Sequence, residues 1–149
     1  TGWKIGWATA PAELISAILT VKQYLTFVNG APFQPAIARG LRLPDTFYRD
    51  IASTLQHKRD ILVEGLSDAG LEVYSPSGTY FVLANTTPVG YDDATGLSRD
   101  LGEKVGVVGV PVTAFVSSGH AAHYRSLLLF AFCKREDVLI EAASRIRHL

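Results

Sequence analysis

The sequence predicts an α/β fold in which a small α+β domain follows a long connecting helix. Apolar residues recur at helical spacing over residues 12–28 and again over residues 45–69. From residue 72 onward, short β-branched segments alternate with helical patterns. Hydrophobic residues make up 48% of the 149 residues, so the chain can bury a sizeable core.

The first part of the chain is predicted to be mostly helical. Pro11 suits the first turn of a helix that continues to about Val28, where an Asn-Gly pair ends it. Residues 31–36 are predicted to form a loop that leads into a short helix through Leu41.

The longest predicted helix starts at Pro44-Asp45 and stops at Gly70. Such a helix is roughly 37 Å long, enough to run from one domain to another. We therefore predict three segments, which are residues 1–43, the connecting helix over residues 44–70 and the small α+β domain over residues 71–149.

The small domain is predicted to contain four strands and two helices. The strands are expected at residues 72–74, 78–85, 107–116 and 126–133. The helices are expected over residues 97–105, closed by Gly106, and over residues 135–149. The Asp92-Asp93 pair could bind a cation, but the start of a helix favours a capping role.

Composition and charge argue against several classes of function. The formal net charge is zero, which does not favour a nucleic-acid or polybasic membrane surface. The longest purely apolar run, residues 127–133, is too short to cross a bilayer. The single cysteine, Cys133, excludes an internal disulfide, favours a cytoplasmic location and is expected to pack as a small hydrophobe. The histidines are scattered, and no metal site is predicted.

Residues 1–7, Thr-Gly-Trp-Lys-Ile-Gly-Trp, carry the strongest functional signal. Their alternation predicts a strand in which Lys4 is flanked on its own face by Gly2 and Gly6. Open space beside this ammonium would let a phosphate or a carboxylate approach closely. The alternative is an ordinary strand whose glycines mark bulges and whose lysine is solvated.

This opening resembles the segment that follows the cofactor lysine in class I/II aminotransferases, the pyridoxal 5′-phosphate (PLP) enzymes of fold type I. The resemblance implies that Lys4 holds the cofactor phosphate. It also implies that the Schiff-base lysine lies upstream, so that this chain contains no catalytic residue. The chain lacks methionine, and we expect it to be a C-terminal portion that lacks most of the large PLP-binding domain, with residues 1–43 as the tail of that domain.

Further landmarks follow in the order that the family shows. Residues 33–36 (Phe-Gln-Pro-Ala) resemble a loop near the dimer interface. Residues 78–81 (Gly-Thr-Tyr-Phe) resemble a strand close to bound substrate, which makes Tyr80 a candidate for substrate binding. Residues 107–115 and 130–134 resemble two later motifs of the family.

One position departs from the family pattern. The family places an arginine five residues before Lys134, where its guanidinium grips the substrate α-carboxylate, and this chain has Leu129 there. Leucine offers no hydrogen-bond donor, so Leu129 marks a weakened substrate-binding position. Arg125 lies on the same predicted strand face but about 13 Å away, too far to substitute. A different alignment, in which another residue supplies the arginine, stays open.

The turn at residues 90–93 and the Cys-Lys-Arg sequence at 133–135 most resemble actinobacterial N-succinyldiaminopimelate aminotransferases, followed by kynurenine and methionine aminotransferases. The resemblance implies amino transfer between an amino acid, such as N-succinyl-LL-2,6-diaminopimelate, and a 2-oxo acid. It further implies lysine biosynthesis and a cytoplasmic homodimer, with this chain inactive by itself. The alternative is a non-catalytic binding or assembly module, or a degenerate remnant, which Leu129 and the missing front part favour.

Overall fold

The computed structural model describes residues 3–148, which form two compact units divided between Tyr48 and Arg49. The predicted division at residues 43 and 70 stays a prediction. The helices are α1 (Ala12–Leu25), α2 (Phe33–Gly40), α3 (Asp45–Asp68), α4 (Ala94–Asp100) and α5 (Glu136–Ile146). The strands are β1 (Glu72–Tyr74), β2 (Phe81–Asn85), β3 (Val110–Pro111) and β4 (Leu127–Ala131).

The opening segment is not a strand, and this prediction is wrong over residues 3–7. Residues 1 and 2 lie outside the described part of the chain. Lys4 has a backbone φ of +56°, which is not an extended conformation. A strand also needs a neighbour to satisfy its backbone groups, and residues 3–48 form no strand in the described structure that could serve as one.

Most of the loop predicted at residues 31–36 is helical, because α2 already begins at Phe33. Pro35 is compatible with this start, since the first turn of a helix leaves its N–H groups without intrahelical partners. The ring of Phe33 also stacks on Trp3, with ring centroids 5.1 Å apart. This stacking contact lies far along the chain and could not be seen in the local pattern.

The long helix is confirmed as α3, which spans 24 residues. Gly70 follows its end with a φ of +88°, as the predicted left-handed stop requires. Gly106, with a φ of +69°, likewise closes the helical segment formed by α4 and the π-helical turn Leu101–Val105. No helix within residues 3–148 combines the length and the hydropathy of a membrane span.

The four strands form one antiparallel sheet in the order β1-β2-β4-β3. Side chains alternate between a buried and a half-buried face along β2 and β4. The buried face contributes Val82, Ala84, Leu128 and Phe130 to the core. Helices α3, α4 and α5 cover this face with Leu62, Leu66, Leu97, Leu139 and Ile146. The opposite face of the sheet carries Leu129, one of the predicted site residues.

Two predicted strands are shorter than the sequence indicates. Only Val110–Pro111 of residues 107–116 pairs in the sheet, because proline cannot donate to the ladder and a 3₁₀ turn, Val112–Phe115, follows it. Residues 78–80 do not extend β2, since Thr79 has a φ of +62°. The prediction that Cys133 packs as a small hydrophobe is also wrong. Cys133 is exposed, two residues after the end of β4.

Asp93 is the N-cap of α4, where its side chain accepts the backbone N–H of Thr95 at 2.9 Å. This hydrogen bond is the main reason why the pKa of Asp93 lies below its ordinary value of 3.8. A lowered pKa in the folded state adds stability above the unfolded-state pKa, and this stability is lost as the pH falls through the folded-state pKa. We expect Asp93→Ala to lower the free energy of unfolding by about 1 kcal/mol at neutral pH.

The control for this prediction is Asp93→Asn, which keeps the capping oxygen and removes the charge. Urea unfolding at neutral pH and well below pH 3.8 measures how the capping oxygen and its charge each change the free energy of unfolding. The parent chain should lose more stability on acidification than Asp93→Asn does. Equal losses in the two proteins would show that the Asp93 charge contributes nothing to the cap.

Candidate functional site

Lys4 lies in the first unit, in an irregular segment that is held by Asn29. The Asn29 side-chain nitrogen donates to the Lys4 carbonyl oxygen at 3.0 Å, and its oxygen accepts the Gly30 N–H at 2.7 Å. These contacts help to keep a non-glycine residue at positive φ, a conformation that costs energy unless its surroundings impose it. The carbonyl group of Lys4 therefore has a hydrogen-bond partner although the predicted strand is absent.

The surroundings of Lys4 fit a phosphate contact. The lysine is exposed, and within residues 3–148 no carboxylate forms an ion pair with it. A Cβ built on Gly6 would meet no atom within 4 Å, so the space next to Gly6 is open. An exposed ammonium without an ion-pair partner among the described residues can accept an anion such as phosphate.

Leu129 lies in the second unit, in the middle of β4 on the half-buried face of the sheet. It pairs with Leu83 of β2 on one side and with Val110 of β3 on the other. Leu83 in turn pairs with Tyr74 of β1, so these side chains form a row across the sheet. We call Tyr74, Leu83, Leu129 and Val110 the outer row. It contains no cation that could hold a carboxylate.

Tyr74 contributes the only hydroxyl of the outer row. Partial loss of hydration, together with the nearby carboxylate of Glu72, raises the pKa of Tyr74 above its ordinary value of 10.0. The hydroxyl therefore stays neutral at physiological pH and can donate a hydrogen bond. The outer row thus offers one neutral hydrogen-bond donor and three aliphatic side chains, without a positive charge.

Tyr80 lies just before β2, in the loop that follows β1. Its carbonyl oxygen accepts the N–H of the fully buried Phe132 at 2.9 Å, and its ring lies 4.4 Å from that of Phe81. Because Phe81 pairs with Ala131, this loop reaches the end of the strand that carries Leu129. The structure thus brings Tyr80 and Leu129 to one sheet, while Lys4 belongs to the other unit.

Arg125 is paired with a carboxylate of its own unit. It precedes β4, and its Nε atom lies 3.5 Å from a carboxylate oxygen of Asp93. Its carbonyl oxygen accepts the N–H of Ala94 at 2.9 Å, which fixes the backbone of Arg125 at the start of α4. Within residues 3–148, no group of three or more histidine, cysteine, aspartate or glutamate side chains could hold a metal ion.

Three residues that support the candidate site are not evident from the sequence. Asn29 holds Lys4, although the Asn-Gly pair signals only a turn. Thr79 holds a positive φ before Tyr80, and a β-branched residue in that region is a genuine outlier. Arg59, within a charged stretch of α3, donates to the Pro76 carbonyl oxygen at 3.0 Å and so anchors the loop before Tyr80. Such long-range contacts leave no local pattern.

Comparison with known proteins identifies the family. The family described as "Aminotransferase class I and II" matches residues 1–140. The Mycobacterium tuberculosis protein named "Probable N-succinyldiaminopimelate aminotransferase DapC" is 45% identical over 98% of this chain. The methionine aminotransferase of Escherichia coli is 36% identical over the whole chain. The chain spans 38% of the length of each of these relatives.

Solved structures agree with this assignment. The solved three-dimensional structure of N-succinyldiaminopimelate aminotransferase from M. tuberculosis matches 99% of this chain with a TM-score of 0.88 and 46% identity. The E. coli methionine aminotransferase YbdL matches the same share with a TM-score of 0.86 and 35% identity. In both cases the chain covers 38% of the solved protein. The predicted C-terminal portion of a fold type I transferase is confirmed, and the chain belongs to the class I and II aminotransferases.

Proposed function

We propose that this chain is part of a PLP-dependent aminotransferase that transfers an amino group from N-succinyl-LL-2,6-diaminopimelate to a 2-oxo acid, and that it is inactive alone. The observation that carries the proposal is the agreement in both sequence and fold with the M. tuberculosis enzyme over nearly the whole chain. The homodimer and the cytoplasmic location remain expectations from the family resemblance.

Within this proposal, the chain contributes binding and positioning. Class I and II aminotransferases use PLP, which, when bound, withdraws electrons from the substrate carbon that carries the amino group. Lys4 would contact the phosphate of this cofactor through its exposed ammonium. Tyr80, held through its carbonyl oxygen by Phe132, and Leu129 in the outer row would form the wall beside the substrate.

Covalent trapping tests the proposed absence of the cofactor lysine from this chain. The chain alone is compared with a single polypeptide in which it replaces the matched segment of the M. tuberculosis enzyme. We call this polypeptide the joined protein. After addition of PLP and reduction with borohydride, we expect one stoichiometric adduct in the joined protein, on a lysine of the M. tuberculosis part. Peptide mass mapping and visible absorbance report it. A stoichiometric adduct on any lysine of this chain would contradict the proposal.

One observation favours a second function, that of a non-catalytic binding or assembly module. The outer row presents leucine where the family resemblance implies a carboxylate-binding arginine, and Arg125 lies at Asp93. Calorimetric titration of the joined protein with N-succinyl-LL-2,6-diaminopimelate separates the two functions. An aminotransferase should bind this carboxylate substrate, whereas a module that keeps only the fold should not.

A further inference from the structure

The loop between β1 and β2 contains a strained residue directly before Tyr80. Thr79 has a backbone φ of +62°, in the left-handed region that β-branched residues rarely adopt. Such a conformation costs energy and persists only where the surrounding structure imposes it, and it occurs most often at functional sites. Residues 77–80 are all exposed, so burial in a core does not impose this conformation.

Two hydrogen bonds hold this loop from outside, one on each side of Thr79. Upstream, the Nη1 atom of Arg59 donates to the Pro76 carbonyl oxygen at 3.0 Å. Downstream, the backbone N–H of the buried Phe132 donates to the Tyr80 carbonyl oxygen at 2.9 Å. Because both ends of the loop are fixed to the packed part of the second unit, the residues between them must complete the connection. Thr79 does so at positive φ.

Arg59 is itself held in place. Its Nε and Nη2 atoms donate to one carboxylate oxygen of Asp60 at 2.8 and 2.7 Å, which orients the guanidinium and leaves Nη1 for Pro76. The Arg59 side chain is only 23% exposed, so water competes weakly for its hydrogen bonds. The arginine belongs to α3, which packs on the core of the second unit through Leu62 and Leu66. The loop is therefore anchored to a packed helix.

We infer that Arg59 is a positioning residue for substrate binding. By fixing Pro76 it keeps Thr79 at positive φ, and it thereby sets the direction of Tyr80, the candidate substrate-binding residue. Arg59 acts through the loop and not by contact with the substrate. Without its hydrogen bond, Thr79 can relax to a negative φ of lower energy, and Tyr80 is displaced. This inference rests on the proposed function, because it takes Tyr80 as part of the wall beside the substrate.

Steady-state kinetics of the joined protein test this role. Arg59→Met keeps an aliphatic side chain on the helix and removes every hydrogen-bond donor. We expect it to raise KM for N-succinyl-LL-2,6-diaminopimelate about tenfold and to leave kcat nearly unchanged, because a displaced wall weakens binding of the substrate and of the transition state alike. The matched control is Arg49→Met, since Arg49 is an exposed arginine of the same helix, and it should change neither constant.

A merely structural role of Arg59 predicts a different pattern. Loss of folded protein lowers the apparent kcat, since fewer active molecules are present, and it leaves KM unchanged. This pattern in Arg59→Met would overturn the inference. Kinetic constants equal to those of the parent protein would overturn it as well.

Relief of the strain at Thr79 provides a second test. Asparagine adopts positive φ more readily than a β-branched residue does, so Thr79→Asn lowers the energetic cost of the loop conformation. In the double variant Arg59→Met/Thr79→Asn, KM should return most of the way to its value in the parent protein. A KM that stays as high as in Arg59→Met would show that Arg59 does not act by maintaining the strained conformation.

Hydrogen exchange of the full chain, measured by NMR, reports on the loop without catalysis. In Arg59→Met, the Phe132 amide should exchange about tenfold faster because its acceptor on Tyr80 moves away, while the amides of Leu128 and Phe130 in β4 keep their protection. Unchanged exchange of the Phe132 amide, or equal acceleration of all three amides, would overturn the inference. If the parent joined protein traps no PLP or shows no turnover, the proposed function fails, and the exchange of the Phe132 amide alone decides whether Arg59 fixes the loop.

Discussion

Replacing Leu129 by arginine in the joined protein is expected to raise kcat/KM for N-succinyl-LL-2,6-diaminopimelate by about 100-fold. A guanidinium at this position would make two parallel, charge-assisted hydrogen bonds with the substrate α-carboxylate. Hydrogen bonds to charged groups are each worth about 1.5–3 kcal/mol, so two of them account for such a gain. Leu129 is half-buried. The methylene groups of an arginine at this position can therefore pack on the sheet while its guanidinium reaches solvent.

Two control variants make this result specific. Leu83→Arg places the same group on the paired strand, next to position 129 in the outer row, and should give no gain. Leu129→Lys supplies the charge without the planar guanidinium and should raise kcat/KM less than arginine does. A titration that finds tight substrate binding in the parent protein, and no improvement in Leu129→Arg, would show that another residue grips the carboxylate.

Replacing Gly65 by alanine is expected to lower the free energy of unfolding of the second unit by about 2–3 kcal/mol. Gly65 lies in α3 where that helix meets α5, and an added Cβ would lie 2.3 Å from the Ala143 Cβ and 3.0 Å from its Cα. Since backbone as well as side chain is in the way, the two helices must move apart. The substitution would otherwise be favourable, because alanine stabilises a helix by about 1 kcal/mol relative to glycine.

Urea denaturation of two further variants checks this explanation. Gly102→Ala is the matched control, because a Cβ at Gly102 would meet no atom within 4 Å. We expect it to leave stability unchanged or to raise it slightly. The double variant Gly65→Ala/Ala143→Gly moves the methyl group from α5 to α3. It should recover at least about 1 kcal/mol of the free energy of unfolding that Gly65→Ala loses. An unchanged stability in Gly65→Ala alone would show that α3 and α5 are not in close contact there.

The candidate site was only partly predictable from the sequence. Lys4 was expected on a strand that also carries Gly2 and Gly6 on the same face, and this strand is absent over residues 3–7. Its contact with the cofactor phosphate stays a prediction. The sequence alone showed that Leu129 replaces the family's arginine, because that arginine is expected five residues before Lys134. The residues that hold the site, such as Asn29 for Lys4 and Arg59 for the loop before Tyr80, make contacts across 25 and 17 residues and have no local signature.

The sequence by itself determined the features that depend on neighbours along the chain. Helical periodicity placed α1, α3 and α5, and the glycine stops at Gly70 and Gly106 adopt the expected left-handed conformation. These features follow from hydrogen bonds and side-chain contacts within three or four residues, which a local pattern encodes.

Only the tertiary structure decided which extended segments become strands and which apolar faces are covered. Residues 3–7 and most of residues 107–116 have strand-like patterns, yet neither segment finds a full-length neighbour to pair with. The sequence around Gly65 predicts only a helix, and it does not show that α5 packs against this glycine. Strand pairing and helix packing join residues far apart in the chain, so their outcome depends on which surfaces meet in three dimensions.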